Sequence, residues 1–300
     1  MNIFFAVVAA MLLSLCAQPA HAGRYAVARS ATPVMNAAAM NILFGGGDGR
    51  TLKTDRCGQV RELEFMALPG TVFRVLDEVR QGDTVVYRVK TDDYPTPAGG
   101  ALYVDRRFME MRSEQPAERL RSMPERETVI SALKVSVGSP YVWGGNMRQG
   151  INELLELYYR GSFLPAEARR LALAGLDCSG LLFAATNGCT PRNTSRLVEF
   201  GRGVPVAGKG ALELATLLQP LDLIVWSGHV IIVLDSETVI ESRLECGSPG
   251  RGGVMTTPLR QRLAEIMRAR RPLDAWPKGG KQRDGFVVRR WYGLQGGWSE

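Results

Sequence analysis

The sequence predicts an α+β fold with a small β-barrel ahead of it. Three observations carry this. Short strands separated by turn residues crowd positions 62–111, helical patterns fill 128–187, and three Val- and Ile-rich strands lie between 221 and 243. The 300 residues suit about two domains, each large enough for its own core. With 45% hydrophobic and 22% charged residues, disorder of the whole chain is excluded.

Taken in order, residues 1–22 contain no Lys, Arg, Asp or Glu. Ile3–Leu15 is apolar, and Ala20-His21-Ala22 gives a small-x-small pattern before Gly23. This reads as a secretory signal peptide cleaved after Ala22, so a periplasmic or secreted location is expected. The apolar run falls short of the ~20 residues that a membrane span needs. A lipoprotein signal on Cys16 is the rival, with Leu15 standing where a small residue is wanted. Gly45-Gly46-Gly47-Asp48-Gly49 reads as a loop. Strands are expected at Glu62–Met66, Thr71–Leu76, Thr84–Lys90 and Ala101–Met111, split by Pro69-Gly70, Gln81-Gly82-Asp83 and Pro95–Gly100. Residues 23–112 therefore form the N-terminal region, and 113–126, rich in Glu, Arg and Pro, a linker.

The second domain, 127–300, opens with helical patterns at Thr128–Val137, Ile151–Gly161 and Pro165–Leu176, and a short helix at Asp177–Asn187. Strands Leu221–Trp226, Gly228–Leu234 and Thr238–Arg243 follow. The net charge of +7 is local, since residues 260–290 hold ten Lys/Arg and three Asp/Glu. Such a segment suits an anionic wall polymer or membrane surface, or is a solvated face. No motif supports nucleic-acid binding. The two histidines, His21 and His229, lie far apart and no C-x-x-C pair occurs, so no metal site and no cofactor are expected.

Chemistry concentrates at Asp177-Cys178-Ser179-Gly180. An Asp N-cap places the Cys178 sulfur in the first turn of a helix, where free N–H groups and the helix dipole favour a thiolate. Gly180 lets another segment approach closely. Once the signal peptide is removed, His229 is the one imidazole available as base. Alternation puts His229, Ile231 and Val233 on one strand face. A three-residue turn at 234–236 would set Glu241 opposite His229, able to orient the ring. A two-residue turn would send Glu241 to the other face.

These residues resemble a known family. Pro140-Tyr141-Val142-Trp143-Gly144-Gly145, Asp177-Cys178-Ser179-Gly180-Leu181, Pro191-Arg192-Asn193-Thr194-Ser195, Asp222-Leu223-Ile224 and Gly228-His229-Val230 occur in the order seen in NlpC/P60 cysteine peptidases. The resemblance covers about residues 127–243. It implies a papain-like core and hydrolysis of peptidoglycan stem peptides or muropeptides, typically between γ-D-glutamate and a diamino acid. Cys178 would be nucleophile, His229 base and acid, and Glu241 the third polar residue. Tyr141 would help stabilise the oxyanion. Asp177 and Ser179 would contact the substrate's free amino end. The β-rich segment resembles the bacterial SH3-like domain often fused to such peptidases. A monomer is expected.

Three departures stand out. Glu241 occupies a position usually held by His, Asn or Gln, and should raise the imidazole pKa. An insert, 146–176, separates two motifs and could wall the cleft. Leu221 stands where Gly commonly precedes Asp222. Two other readings stay open: a catalytically weak wall-binding protein, and a muramoyl-alanine amidase or transacylase sharing the thiol chemistry. Of the remaining cysteines, Cys189 and Cys246 are the candidate disulfide, leaving Cys57 free; the alternative is small buried thiols.

Overall fold

The computed structural model describes residues 24–96, 98–247, 252–279 and 284–293. The signal-peptide reading, with Cys16 and His21, lies outside them.

The N-terminal region is an antiparallel sheet. Its order is Leu63–Ala67, Thr32–Met35, Leu102–Asp105, Thr84–Lys90, Val72–Gln81, Arg24–Ala28, Met109–Arg112. The pairings run as an open path. All four expected strands are present, with two adjustments. The second runs on to Gln81 through a register shift at Val75/Asp77. The last is split by a helical turn, Arg106–Phe108, because the Asp105 side chain accepts from the Arg107 N–H. Arg24–Ala28 and Thr32–Met35 are additional strands. The second of these carries Pro33, which argues against a paired strand when only the sequence is read.

The insert joins this N-terminal core. Ile151, Leu154, Tyr158, Tyr159, Leu171 and Leu173 pack with Met40, Phe44, Phe65 and Leu102. Asp105 accepts from the Tyr158 hydroxyl and from Arg107, and Arg160 N–H donates to Gly49 O at 2.7 Å. A Cβ at Gly45 would lie 2.2 Å from Tyr158 O, so the glycine loop is pressed against the insert. The helix expected over 165–176 ends at Leu171. Leu173 turns to φ 57°, and Gly175–Leu176 then pairs with Asn146–Met147.

The second sheet runs Arg202–Gly203, Gly285–Arg290, Leu223–Trp226, His229–Val233, Thr238–Leu244, Gly252–Pro258. Both of its faces are buried. Val230, Ile232 and Ile240 pack with Leu181, Leu182 and Ala185 of the helix Cys178–Ala185, and with Val129 and Leu133 of the helix Arg126–Val135. Ile231, Val233 and Val239 pack with Leu259, Leu263 and Ile266 of the helix Leu259–Met267. Alternating side chains thus serve two layers at once, and the near-continuous Val/Ile runs follow from that.

One expectation changes here. The disulfide joins Cys57 to Cys246, while Cys178 and Cys189 are free thiols. Cys246 follows the strand that carries Glu241, so the bond ties this end of the second sheet to the N-terminal region. Some arginines of the basic segment are engaged within the fold. Arg262 bonds Glu241 and Glu265, Arg290 bonds Asp222, and Arg289 donates to the carbonyls of Phe200 and Glu199.

Candidate active site

The helix Cys178–Ala185 starts as its sequence dictates. Asp177 is extended, at φ −85° and ψ −178°, and its Oδ1 accepts from the Gly180 N–H at 2.6 Å. Cys178 follows as the first helical residue, 7% exposed. A Cβ at Gly180 would sit 1.9 Å from Gly145 O, so the Gly144-Gly145 loop can lie on the helix start only because the side chain is missing. Asp177 N–H donates to the same carbonyl at 2.9 Å.

Asp177 and Ser179 both face Arg192. Its guanidinium donates to Asp177 Oδ1 at 3.0 Å and Oδ2 at 2.7 Å, to Ser179 Oγ at 3.0 Å, and to Asn146 Oδ1 at 3.1 Å. Asp177, Ser179 and Arg192 are all buried. Such an ion pair is favourable only when nearly every donor and acceptor is satisfied, which holds here. Arg192 lies in a motif read from the sequence, yet its partner is a separate segment, so its role was not legible there.

His229 opens its strand behind Gly228, which adopts φ +102° and whose N–H donates to Thr194 Oγ1 at 2.9 Å. The Cys178 thiol lies on one side, its Sγ 4.0 Å from the carbonyl of Gly228, the residue before His229. On the other, Nε2 lies 2.6 Å from Glu241 Oε2. A carboxylate only accepts, so Nε2 carries the proton and Nδ1 is the nitrogen left for sulfur. Trp226, paired opposite His229, has its ring centre 5.1 Å from the imidazole.

The register differs from the expected one. Ile232 pairs with Ile240 and Val233 with Val239, so the three-residue turn is Asp235-Ser236-Glu237 and not 234–236. The shift moves Glu241 by two positions and leaves its face unchanged. Glu241 is fully buried. It also takes Arg262 Nε on Oε1 at 2.7 Å and Nη2 on Oε2 at 3.0 Å.

Electrostatics follow from this geometry. Burial opposes a charged imidazole, but the neighbouring Cys178 and Glu241 outweigh it and push His229 up to about 9. Burial likewise opposes the Glu241 carboxylate, and His229 with Arg262 hold its pKa below the ordinary value. Tyr141 is raised by burial and by the charges of Asp177 and Cys178, so its phenol keeps its proton beside the thiol. Trp143 is partly exposed under the Arg61 guanidinium, 4.4 Å from its ring centre.

Asp177, Cys178 and Ser179 thus share one helix start, His229 and Glu241 share one hairpin, and Tyr141 feels the charges of Asp177 and Cys178. Arg192 and Arg262 are the additions. No family model matches the chain, and no curated protein matches it in sequence. Among solved structures it is similar to an NlpC/P60 family protein from Bacillus cereus, with 15% identity and a TM-score of 0.32 over 90% of this chain and 63% of that one. The chain therefore spans less than two thirds of that protein's length. It is also similar to RipD from Mycobacterium tuberculosis, a non-catalytic NlpC/p60 domain protein with an adaptation to peptidoglycan-binding function. That match has 17% identity and a TM-score of 0.31 over 55% of this chain and 95% of that one. The chain's structural neighbours are NlpC/P60 family proteins at low identity.

Proposed function

We propose that the chain is an exported cysteine endopeptidase with an SH3-like N-terminal domain and a papain-like core. It cuts peptidoglycan stem peptides at the γ-D-glutamyl–diamino acid bond. One observation carries this reading: Cys178 begins a helix packed on the strand that His229 opens, and Glu241 holds that imidazole. The order of motifs supports the substrate class. The Cys178 thiolate attacks the amide carbonyl, and its own N–H with the Tyr141 hydroxyl holds the oxyanion. His229 gives its proton to the leaving amine. It then takes one from water, which releases the acyl-enzyme. Asp177 and Ser179, set by Arg192, border the site where the free amino end of the peptide binds.

The test is digestion of purified muropeptides followed by mass spectrometry, with Cys178→Ala as control. Cleavage next to γ-D-glutamate by the parent alone supports the proposal. Loss of the muramoyl-alanine linkage would make the chain an amidase, and binding without any product would make it a wall-binding protein.

A further inference from the structure

We infer that Arg262 is a positioning residue: its guanidinium fork fixes the Glu241 carboxylate in plane and divides that carboxylate's charge, so that His229 receives an aimed but weakened anion. This rests on the thiol–imidazole reading of the site above.

Arg262 projects from a helix seated on the sheet by Leu259, Leu263 and Ile266. Leu263 is adjacent in sequence and fully buried, so the base of the Arg262 side chain is anchored. Nε donates to Oε1 and Nη2 to Oε2. Two parallel bonds from a rigid fork determine the carboxylate's rotation, which one donor cannot do. Nη1 donates to Glu265 Oε2 at 3.1 Å, which holds the fork from behind. Oε2 then has two donors, Arg262 and His229.

The charge balance follows. Charged or titratable groups facing the pair are Cys178 from its helix, Arg243 on the strand of Glu241, and Arg262 with Glu265 from the helix behind. Arg270 lies over Trp226, which packs on the imidazole. Arg243 is 3.8 Å from Oε1, but its Nε donates to Met255 Sδ at 3.1 Å. Arg262, and not Arg243, is therefore the counter-charge that Glu241 has besides His229. A carboxylate shared in this way stabilises imidazolium less than an unshared one would, and so keeps the proton transferable to a leaving amine.

The readout is Cys178 alkylation by iodoacetamide across pH, in a Cys189→Ser background so that one thiol reports. This requires no peptide substrate. In Arg262→Gln the reactivity attributable to the thiolate–imidazolium pair should persist to higher pH than in the parent, by half a unit or more. In Arg262→Lys the charge remains and the fork is lost. Its profile should stay near the parent's, while kcat on muropeptides falls at least fivefold with KM little changed. If Arg262→Gln does not fold, Arg262→Lys carries the test. A profile of folded Arg262→Gln that overlays the parent's, or full kcat in Arg262→Lys, overturns the inference. A parent that cleaves no muropeptide overturns the peptidase reading alone, because the alkylation profile still decides the role of Arg262.

Discussion

His229 and Glu241 meet on a diagonal: the register sets Ile231 opposite Glu241, yet Nε2 and Oε2 are 2.6 Å apart. A diagonal neighbour on an antiparallel pair is within reach of long side chains. The carboxylate thus approaches the imidazole from one side and leaves the other to sulfur. Removing Cys178 or His229 should lower turnover by several orders of magnitude, since they act as a unit. Single-turnover assays on a muropeptide would check this, and near-parent rates in either alanine variant would end the proposal.

The pH dependence has a definite direction. His229 is raised from its ordinary 6.5 to about 9. The stability from its charged contacts is complete below the ordinary value and is lost as pH rises through about 9. Activity needs the same proton for the leaving amine, so its alkaline limb should also fall near pH 9. Glu241→Gln removes the carboxylate and should move that limb down by about 1 unit, the low end for an opposite charge in contact, because Arg262 already shares it. Rate profiles across pH for both forms would show the displacement, and coincident limbs would refute it.

Arg192→Met should destabilise the fold strongly. It leaves the buried Asp177 carboxylate without its charge partner, a loss of about 3–5 kcal/mol. Asp177→Ala also removes the helix cap, worth about 0.5–2 kcal/mol, and strands the guanidinium. Urea unfolding of each variant would measure this, and two variants within about 1 kcal/mol of the parent would contradict the reading.

Leu221 poses opposing terms. It holds φ +71°, a left-handed conformation that glycine adopts freely and a leucine adopts at a cost of about 1–2 kcal/mol. Its side chain is 1% exposed, and truncating a buried leucine costs about 2–5 kcal/mol. Burial therefore wins, and Leu221→Gly should be less stable by about 1–3 kcal/mol in chemical denaturation. A more stable variant would show that backbone strain dominates.

Opening the Cys57–Cys246 bond should cost about 2–4 kcal/mol, because its two ends are far apart in the chain. Thermal melts of Cys57→Ser, with and without reductant, would test it: the parent should lose stability in reductant, and the variant should not respond.

How much of this was legible depends on range. The helix start at Cys178 and the strand at His229 are local patterns, and both stand. Neither the face nor the register of Glu241 was settled in the sequence, because any of several polar residues can begin that turn and an even-length turn would reverse the face. Arg262 and Arg192 were not legible as partners. Each finds its carboxylate only after separate segments pack, and no spacing encodes that. The disulfide was misread for the same reason: nearness within one domain suggested Cys189, whereas packing brings Cys57 to Cys246. The insert kept both helices in shortened form, Glu153–Tyr158 and Pro165–Leu171, the second ending where Leu173 and Gly175 turn back toward Asn146.

The free Cys178 beside an oxidised Cys57–Cys246 pair sets a redox demand on maturation. The same chain must close one bond and leave its nucleophile reduced. Partly buried Cys189 is the more accessible of the two free thiols among the described residues, while Cys178 is shielded at its helix start. The order of events then matters: a nascent chain oxidised before that helix docks would offer Cys178 as a wrong partner. If the chain is exported as proposed, packing before oxidation would let this fold keep Cys178 reduced in surroundings that favour disulfides.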